Sequence, residues 1–291
     1  MKLSIVVIMH NMRREAARTL YSLSLAHQVG IEPGDYEVIV IDNASTAPLR
    51  PEDMDGHGAG FRYHFHETDS KSPVEAINIG VEMARGDAIA IIVDGARMAS
   101  PGLIRHTLLA FRMAENPVIC ALSWHLGPDV QPKSVQNGYG QAFEDRMLEE
   151  ADWRTDGYRL FEISTIAPSS GDGFFASYPS ECSWIALRRD TFVGMGGFDI
   201  RFQTPGGGFC NHDFRNRAVT LEGASPMVIL GEGVFHQVHG GIATNAPPEK
   251  RPLAMFHEEY ARIHGRRYET APVPWPLYVG GMPAAAKRFL K

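Results

Sequence analysis

Strand-end acids, amides and a histidine pair carry most of the chemistry this chain can do. Asp94 follows "IAIIV", Asp42 and Asn43 follow "EVIVI", and His10 and Asn11 follow "SIVVIM". A carboxylate at the end of a buried strand is held in place and charged, so it suits a hard divalent cation or an N–H donor. A second carboxylate two positions after Asp94 would complete an obvious metal site, but position 96 is alanine. His236 and His239, three apart in "FHQVHGG", offer imidazoles that ligate a metal or carry positive charge near neutral pH. Asp213 is the only carboxylate in "GGGFCNHDFRNRA". It falls in the first turn of an expected helix, where negative charge is favoured, and is either a base or a helix-stabilising acid.

The elements that must position these groups alternate. "LSIVVIM" is a β-branched apolar run of the kind a strand buried on both faces produces, and "RREAARTLYSLSLA" follows with Ala16, Leu20 and Leu23 at helical spacing. "YEVIVIDNAS" repeats the strand, then a helix carries Ile77, Val81 and Ala84 on one face, and "AIAIIV" is a third strand. This βαβ pattern predicts an α/β fold with a mostly parallel, Rossmann-like sheet. Ligands of such sheets bind beyond the carboxyl ends of the strands, so the three strand-end clusters should meet in one crevice. Further on, Ser100 and Pro101 are placed to cap and start a helix, "PVICALSWHL" is a strand, and "GQAFEDRMLEEADW" is a helix among long loops spanning 126–180. "CSWIALRRDTFVGMGGFD" reads as strand, helix and glycine turn, and "SPMVILGEGVFHQVHGG" as a strand entering the histidine turn. Leu253, Phe256, Tyr260 and Ile263 form one stripe of a last helix.

Composition narrows the function classes. The 291 residues are 44% hydrophobic and 21% charged, enough for one large core. A formal charge of −6 provides no basic face, which sets nucleic acid aside as a partner. Three widely spaced cysteines without a CxxC pair suggest neither a disulfide framework nor a zinc knuckle, and a reducing, cytoplasmic location is expected. The first apolar run is too short and too β-branched for a signal peptide, and no segment reaches the roughly 20 apolar residues of a membrane span. Membrane contact is therefore at most peripheral. The tail "AAAKRFLK" could supply it, or could be a solvated or oligomer-packing segment, so a homo-oligomer stays open.

Taken in order, "SIVVIMHNMRREAARTLYSL", "EVIVIDNAST", "SPVEAINIGVEMARGDAIAIIVDG", "CSWIALRRDTFVGMGGFD" and "FHQVHGG" resemble the family 2 glycosyltransferases of the GT-A fold, over roughly residues 3 to 241. The resemblance implies a nucleotide-sugar-binding half (1–100), a merged acceptor-side half of the same domain (101–245) and a C-terminal helical tail (246–291). It implies a base-reading role for Asp42, whose alternative is to cap the following turn with Asn43 and Ser45. Met9, His10 and Asn11 lie where the family packs the base, Lys71 and Asn78 where it approaches base and ribose, and Asp94, Gly95 and Ala96 where it carries Asp-any-Asp. Because Ala96 ligates nothing, either Asp94 holds Mn²⁺ or Mg²⁺ with groups from elsewhere, His239 being the best match, or no metal is used. Family members take their base from a Glu-Asp pair, and aligning on Arg217 puts Cys210 and Asn211 there, which leaves Asp213 as the candidate base and His212 as a minor one. Trp184 is expected either to stack on an acceptor sugar or to lie in the core, and "TPGGGF" either to close over a donor or to form a tight turn.

The activity so implied is inverting transfer of a sugar from a UDP- or dTDP-based donor to a hydroxyl of a glycan, lipid-linked or small-molecule acceptor. A second interpretation is a non-catalytic nucleotide-sugar or glycan binder, favoured by Ala96, Cys210 and Asn211. A nucleotidyltransferase lacks the glycine- and arginine-rich phosphate loop it would need after the first strand.

Overall fold

A computed structural model describes residues 1–58, 60–176, 178–181, 183–241 and 252–290. The first elements are β1 (Leu3–Met9), α1 (Arg13–Leu23), β2 (Tyr36–Asn43), α2 (Pro51–Met54), β3 (Phe61–His66), α3 (Val74–Glu82), β4 (Ala88–Ile92) and β5 (Arg97–Ala99). After them come α4 (Leu103–Ala110), β6 (Pro117–Leu126), α5 (Gln131–Gln136), α6 (Gln141–Ala151), β7 (Ser164–Ile166) and β8 (Ile185–Arg188). The chain continues through α7 (Arg189–Gly194), α8 (Cys210–Val219), β9 (Ser225–His236), α9 (Leu253–His264) and β10 (Leu277–Gly280).

The strands form one α/β sheet in the order β10-β9-β6-β8-β4-β1-β2-β3, with β5 added on β9 and β7 on β6. Strands β3, β2, β1 and β4 run parallel to one another, as do β6, β9 and β10. The two parallel blocks meet through β8, antiparallel to both β4 and β6. The apolar runs explain the centre: every residue of β1, β2, β4 and β6 is buried, as a sheet covered on both faces requires. Helix α3 covers one face through Ile77 and Val81, and α1 and α4 cover the other through Ala16, Leu20 and Ile104.

Several local expectations need correction. Ser100 does not cap α4, whose N-cap is Gly102. Instead a bulge in β9 shifts the pairing from Ala121↔Ile229 to Leu122↔Gly233, and Glu232 accepts from Gly102 N–H at 2.9 Å, Ser100 Oγ at 2.5 Å and Tyr158 Oη at 2.7 Å. That buried carboxylate satisfies the start of α4 from across the sheet. The C-terminal segment also joins the body: β10 pairs with β9, and the Phe289 ring lies 5.4 Å from Trp124. Trp184 is fully buried and donates from Nε1 to Thr107 Oγ1 at 3.2 Å, so it is a core residue and not a sugar platform. Cys210 is a free buried thiol, but Cys120 is disulfide-bonded, against the expectation of none, which removes the cysteine argument for a reducing compartment. No helix among the described residues is long and apolar enough to cross a membrane.

Burial lowers the His27 pKa from 6.5 to about 4, while its Nε2–H donates to Ala99 O at 3.0 Å. A depressed folded-state pKa contributes stability that is complete above 6.5 and is lost as pH falls toward 4, because the unfolded chain takes up the proton first. Thermal denaturation should therefore show a loss of up to roughly 3 kcal/mol from this group across that window. His27→Gln, which keeps a donor at the Nε2 position, should flatten that part of the profile, and an unchanged slope would remove His27 as its source.

Candidate functional site

Strand β5 is only three residues long, yet it assembles the site. Its antiparallel pairing sets Arg97 opposite His236, and Gln237 N–H donates to Ala96 O at 2.8 Å. Asp94 at the end of β4 thus meets the histidines at the end of β9. Asp94 Oδ2 lies 2.7 Å from His236 Nε2 and 3.4 Å from His239 Nε2, and the two ring nitrogens are 3.2 Å apart. Asp94 Oδ1 accepts from Ala96 N–H at 3.0 Å, which leaves Oδ2 aimed at the imidazoles. The histidine turn is clamped from two helices: Val238 N–H donates to Glu144 Oε2 on α6 at 2.8 Å, and Gln237 Nε2 donates to Glu15 O and Thr19 Oγ1 on α1, both at 3.2 Å.

Gln131 decides which proton His236 carries. Its Nε2 donates to the His236 carbonyl at 3.3 Å, so its Oε1 is the atom that faces His236 Nδ1. An acceptor there requires Nδ1–H and leaves the Nε2 lone pair facing Asp94. Burial lowers the His236 pKa to about 4 despite the opposing pull of Asp94. Two acceptors 2.7 Å apart then need a cation beside them. His239 can be that cation: burial opposes its charge, but Asp94 outweighs this and its pKa is raised. Burial likewise disfavours the Asp94 carboxylate, yet the charge on the histidine pair, that of His239 foremost, holds its pKa well below the ordinary value.

These three residues also fit a metal. Their ligand atoms lie within 4.8 Å of one another, one imidazole is oriented by an amide behind it, and two nitrogens with one oxygen suit Mn²⁺, Fe²⁺ or Zn²⁺ better than Mg²⁺.

Beside the cluster opens a cavity of about 970 Å³ at the carboxyl ends of β1, β2 and β4. Of the residues singled out in the sequence, His10, Asn11, Asn43, Lys71, Asp94, Cys210, Asn211, His212 and His239 line it. His10 is fixed by donating from Nδ1 to Asn43 O at 2.7 Å. Asn11 has a left-handed φ of 54° and accepts through Oδ1 from Thr46 N–H at 2.9 Å. Such a strained non-glycine residue persists where its surroundings demand it.

The other candidates are placed elsewhere. Asp42 is 1% exposed and spends its oxygens on Ser45 N–H at 2.9 Å, Leu49 N–H at 3.4 Å and Tyr63 Oη at 3.1 Å, so it caps the turn after β2. Asn78 grips the backbone of Phe198 through both ends of its amide, at 2.9 and 3.0 Å. Met9 is packed under Gly95, where a Cβ would lie 2.6 Å from Met9 Cγ and 2.7 Å from Ile8 O. Ala96 is buried beneath the Asp94 turn. Asp213 is held by Arg217 Nε at 2.8 Å and His264 Nε2 at 3.0 Å, and does not line the cavity. In "TPGGGF", Gly206, Gly207 and Gly208 all have positive φ, and Gly206 N–H donates to Lys71 O at 3.0 Å, so the glycines serve a hydrogen-bonded turn.

Four lining residues escaped the sequence as site residues: Arg97, whose Nη1 donates to Ser123 Oγ at 2.9 Å; Glu181; and Phe209 and Phe256, which form an apolar wall. Arg97 adjoins Ala96, so its position was the one available signal.

The fold is that of an α/β protein with a largely parallel, Rossmann-like sheet of the GT-A type and a cavity at the strand ends. Residues 4–146 match the family model "Glycosyl transferase family 2". Among solved structures the chain is similar to S. aureus TarS 1-349 in complex with UDP, with 15% identity, a TM-score of 0.56, and coverage of 90% of this chain and 66% of that one. TarS 1-349 in complex with UDP-GlcNAc gives 14% identity, a TM-score of 0.54, and coverage of 83% and 60%. The longer S. aureus TarS chain gives 14%, 0.55, 90% and 42%. This chain thus spans less than two thirds of the length of those proteins, and at such identities the likeness establishes the fold. A search of curated proteins finds no match.

The donor geometry predicts that Mn²⁺ binds by calorimetry more tightly than Mg²⁺ and that His236→Ala abolishes binding. Gln131→Leu, which touches no metal but frees the His236 ring, should weaken it about 10- to 100-fold. Equal Mn²⁺ affinity in His236→Ala and wild type would rule the cluster out.

Proposed function

We propose that the protein is a family 2 glycosyltransferase that moves a sugar from a nucleoside-diphosphate sugar to an acceptor hydroxyl with inversion. One observation carries this: Asp94 and His239, backed by His236, border with Arg97 and Lys71 a single cavity at the strand ends of a sheet whose first half matches the family model. The nucleotide lies against His10, Asn11 and Asn43, and the diphosphate faces Lys71, Arg97 and the histidines. Held by Asp94, His236 and His239, a divalent cation would neutralise charge on the leaving diphosphate. The uridine or thymidine class rests on the resemblance, and the UDP and UDP-GlcNAc complexes of the similar TarS structures support uridine. Residues 1–100 form the nucleotide side and 101–245 the acceptor side, where Phe209, joined by Phe256 of the C-terminal helix, offers an apolar face to a glycan, a glycoside or the proximal part of a lipid-linked acceptor.

A binding protein without turnover is the second interpretation, favoured by Cys210 and Asn211 at the start of α8, neither of which is a base. The two separate in one experiment: both bind UDP, but only the enzyme releases UDP from a UDP-sugar in the presence of acceptor. Asp94→Ala should reduce that release about 100-fold or more. Asp42→Asn should cost about 1–3 kcal/mol of stability, because a buried acceptor of three bonds is altered, yet change UDP affinity less than about threefold. Absence of UDP and dTDP binding with Mn²⁺ present would reject the donor site altogether.

A further inference from the structure

Direct displacement needs a group that takes the acceptor hydroxyl's proton, and neither Cys210 nor Asn211 supplies it. Among the described residues, Asp94 and Glu181 are the carboxylates lining the cavity. Asp94 is committed to the two histidines. Glu181 lies in the segment before β8, beside the start of α8, and accepts from Asn211 Nδ2 at 3.2 Å through Oε1. Its Oε2 has no hydrogen-bond partner among the described residues. It shares the cavity wall with Phe209, Cys210 and His212. His212 is a poor alternative: burial lowers its pKa, and its Nδ1 is sealed from solvent without a partner.

We propose that Glu181 is the catalytic base of this transferase, brought to the cavity from the segment before β8 and anchored by Asn211, which stands where a carboxylate would otherwise project from α8. This rests on the glycosyltransferase assignment. In the step, Glu181 Oε2 takes the proton of the acceptor hydroxyl as the acceptor oxygen bonds to the anomeric carbon. The bond from that carbon to the diphosphate oxygen breaks, and its electron pair leaves with the nucleoside diphosphate. The acceptor hydroxyl therefore lies between Glu181 and the anomeric carbon, with its ring or chain against Phe209.

The test uses the full chain with Mn²⁺. UDP binding is measured by calorimetry, and nucleoside-diphosphate release is measured from UDP-GlcNAc, UDP-glucose, UDP-galactose and dTDP-glucose with a mixed set of monosaccharide and glycoside acceptors. Glu181→Gln should lower kcat about 100-fold or more while UDP affinity and donor KM stay within about twofold. Glu181→Asp should retain more kcat than Glu181→Gln. A Glu181→Gln enzyme with more than about a third of wild-type kcat overturns the assignment, as does a loss of kcat matched by an equal loss of UDP binding. Wild-type protein that binds no UDP overturns the donor site itself, and Glu181 falls with it.

Discussion

The contact between Asp94 Oδ2 and His236 Nε2, 2.7 Å across two separate strands, is the constraint around which the site is organised. With Gln131 fixing the proton on the far ring nitrogen, two lone-pair atoms face each other, and a positive charge must lie beside them. His239 or a divalent cation meets that requirement. The scaffold exists to hold this geometry: β5 pairs with β9, α1 and α6 clamp the turn between the histidines, and Ala96 passes its carbonyl to Gln237. A carboxylate at position 96 is unnecessary for that cluster, since its second and third members arrive from β9 and the turn after it.

The sheet explains how groups from distant segments converge in space. Its two parallel blocks share β8 as an antiparallel seam, and the cavity draws on both: His10, Asn43 and Asp94 from one, His125 and His239 from the other. Glutamates in other segments take over local duties. Glu232, re-aimed by a bulge, satisfies the start of α4, and Glu259 accepts from Gln203 and Thr204 N–H at 2.7 and 2.8 Å to hold the triple-glycine turn.

Much of the fold was legible in the chain because its central strands are buried on both faces. "LSIVVIM" and "PVICALSWHL" are strands at the bounds their apolar runs imply. Strands β3, β5, β7 and β10 were not legible: β3 and β10 lie at sheet edges, where polar residues are tolerated, and β5 and β7 are three residues long. At the site, Asp94 and His239 were legible as chemistry-bearing groups near glycines and strand ends. Asp42, Asn78 and Asp213 have equally suitable side chains, but backbone amides and carbonyls, an arginine and a histidine already occupy them.

The sequence by itself determined the alternation of strand and helix, the α/β class and the meeting of the strand-end groups His10, Asn43 and Asp94 in one crevice. These follow from hydrophobic period and burial, which are local properties. The tertiary structure alone decided that His236 completes the cluster, that Asp42 is a cap and that Glu181 reaches the cavity. Those outcomes depend on pairing partners more than a hundred residues apart, or on which polar groups are satisfied before a ligand arrives, and neither is encoded in local spacing.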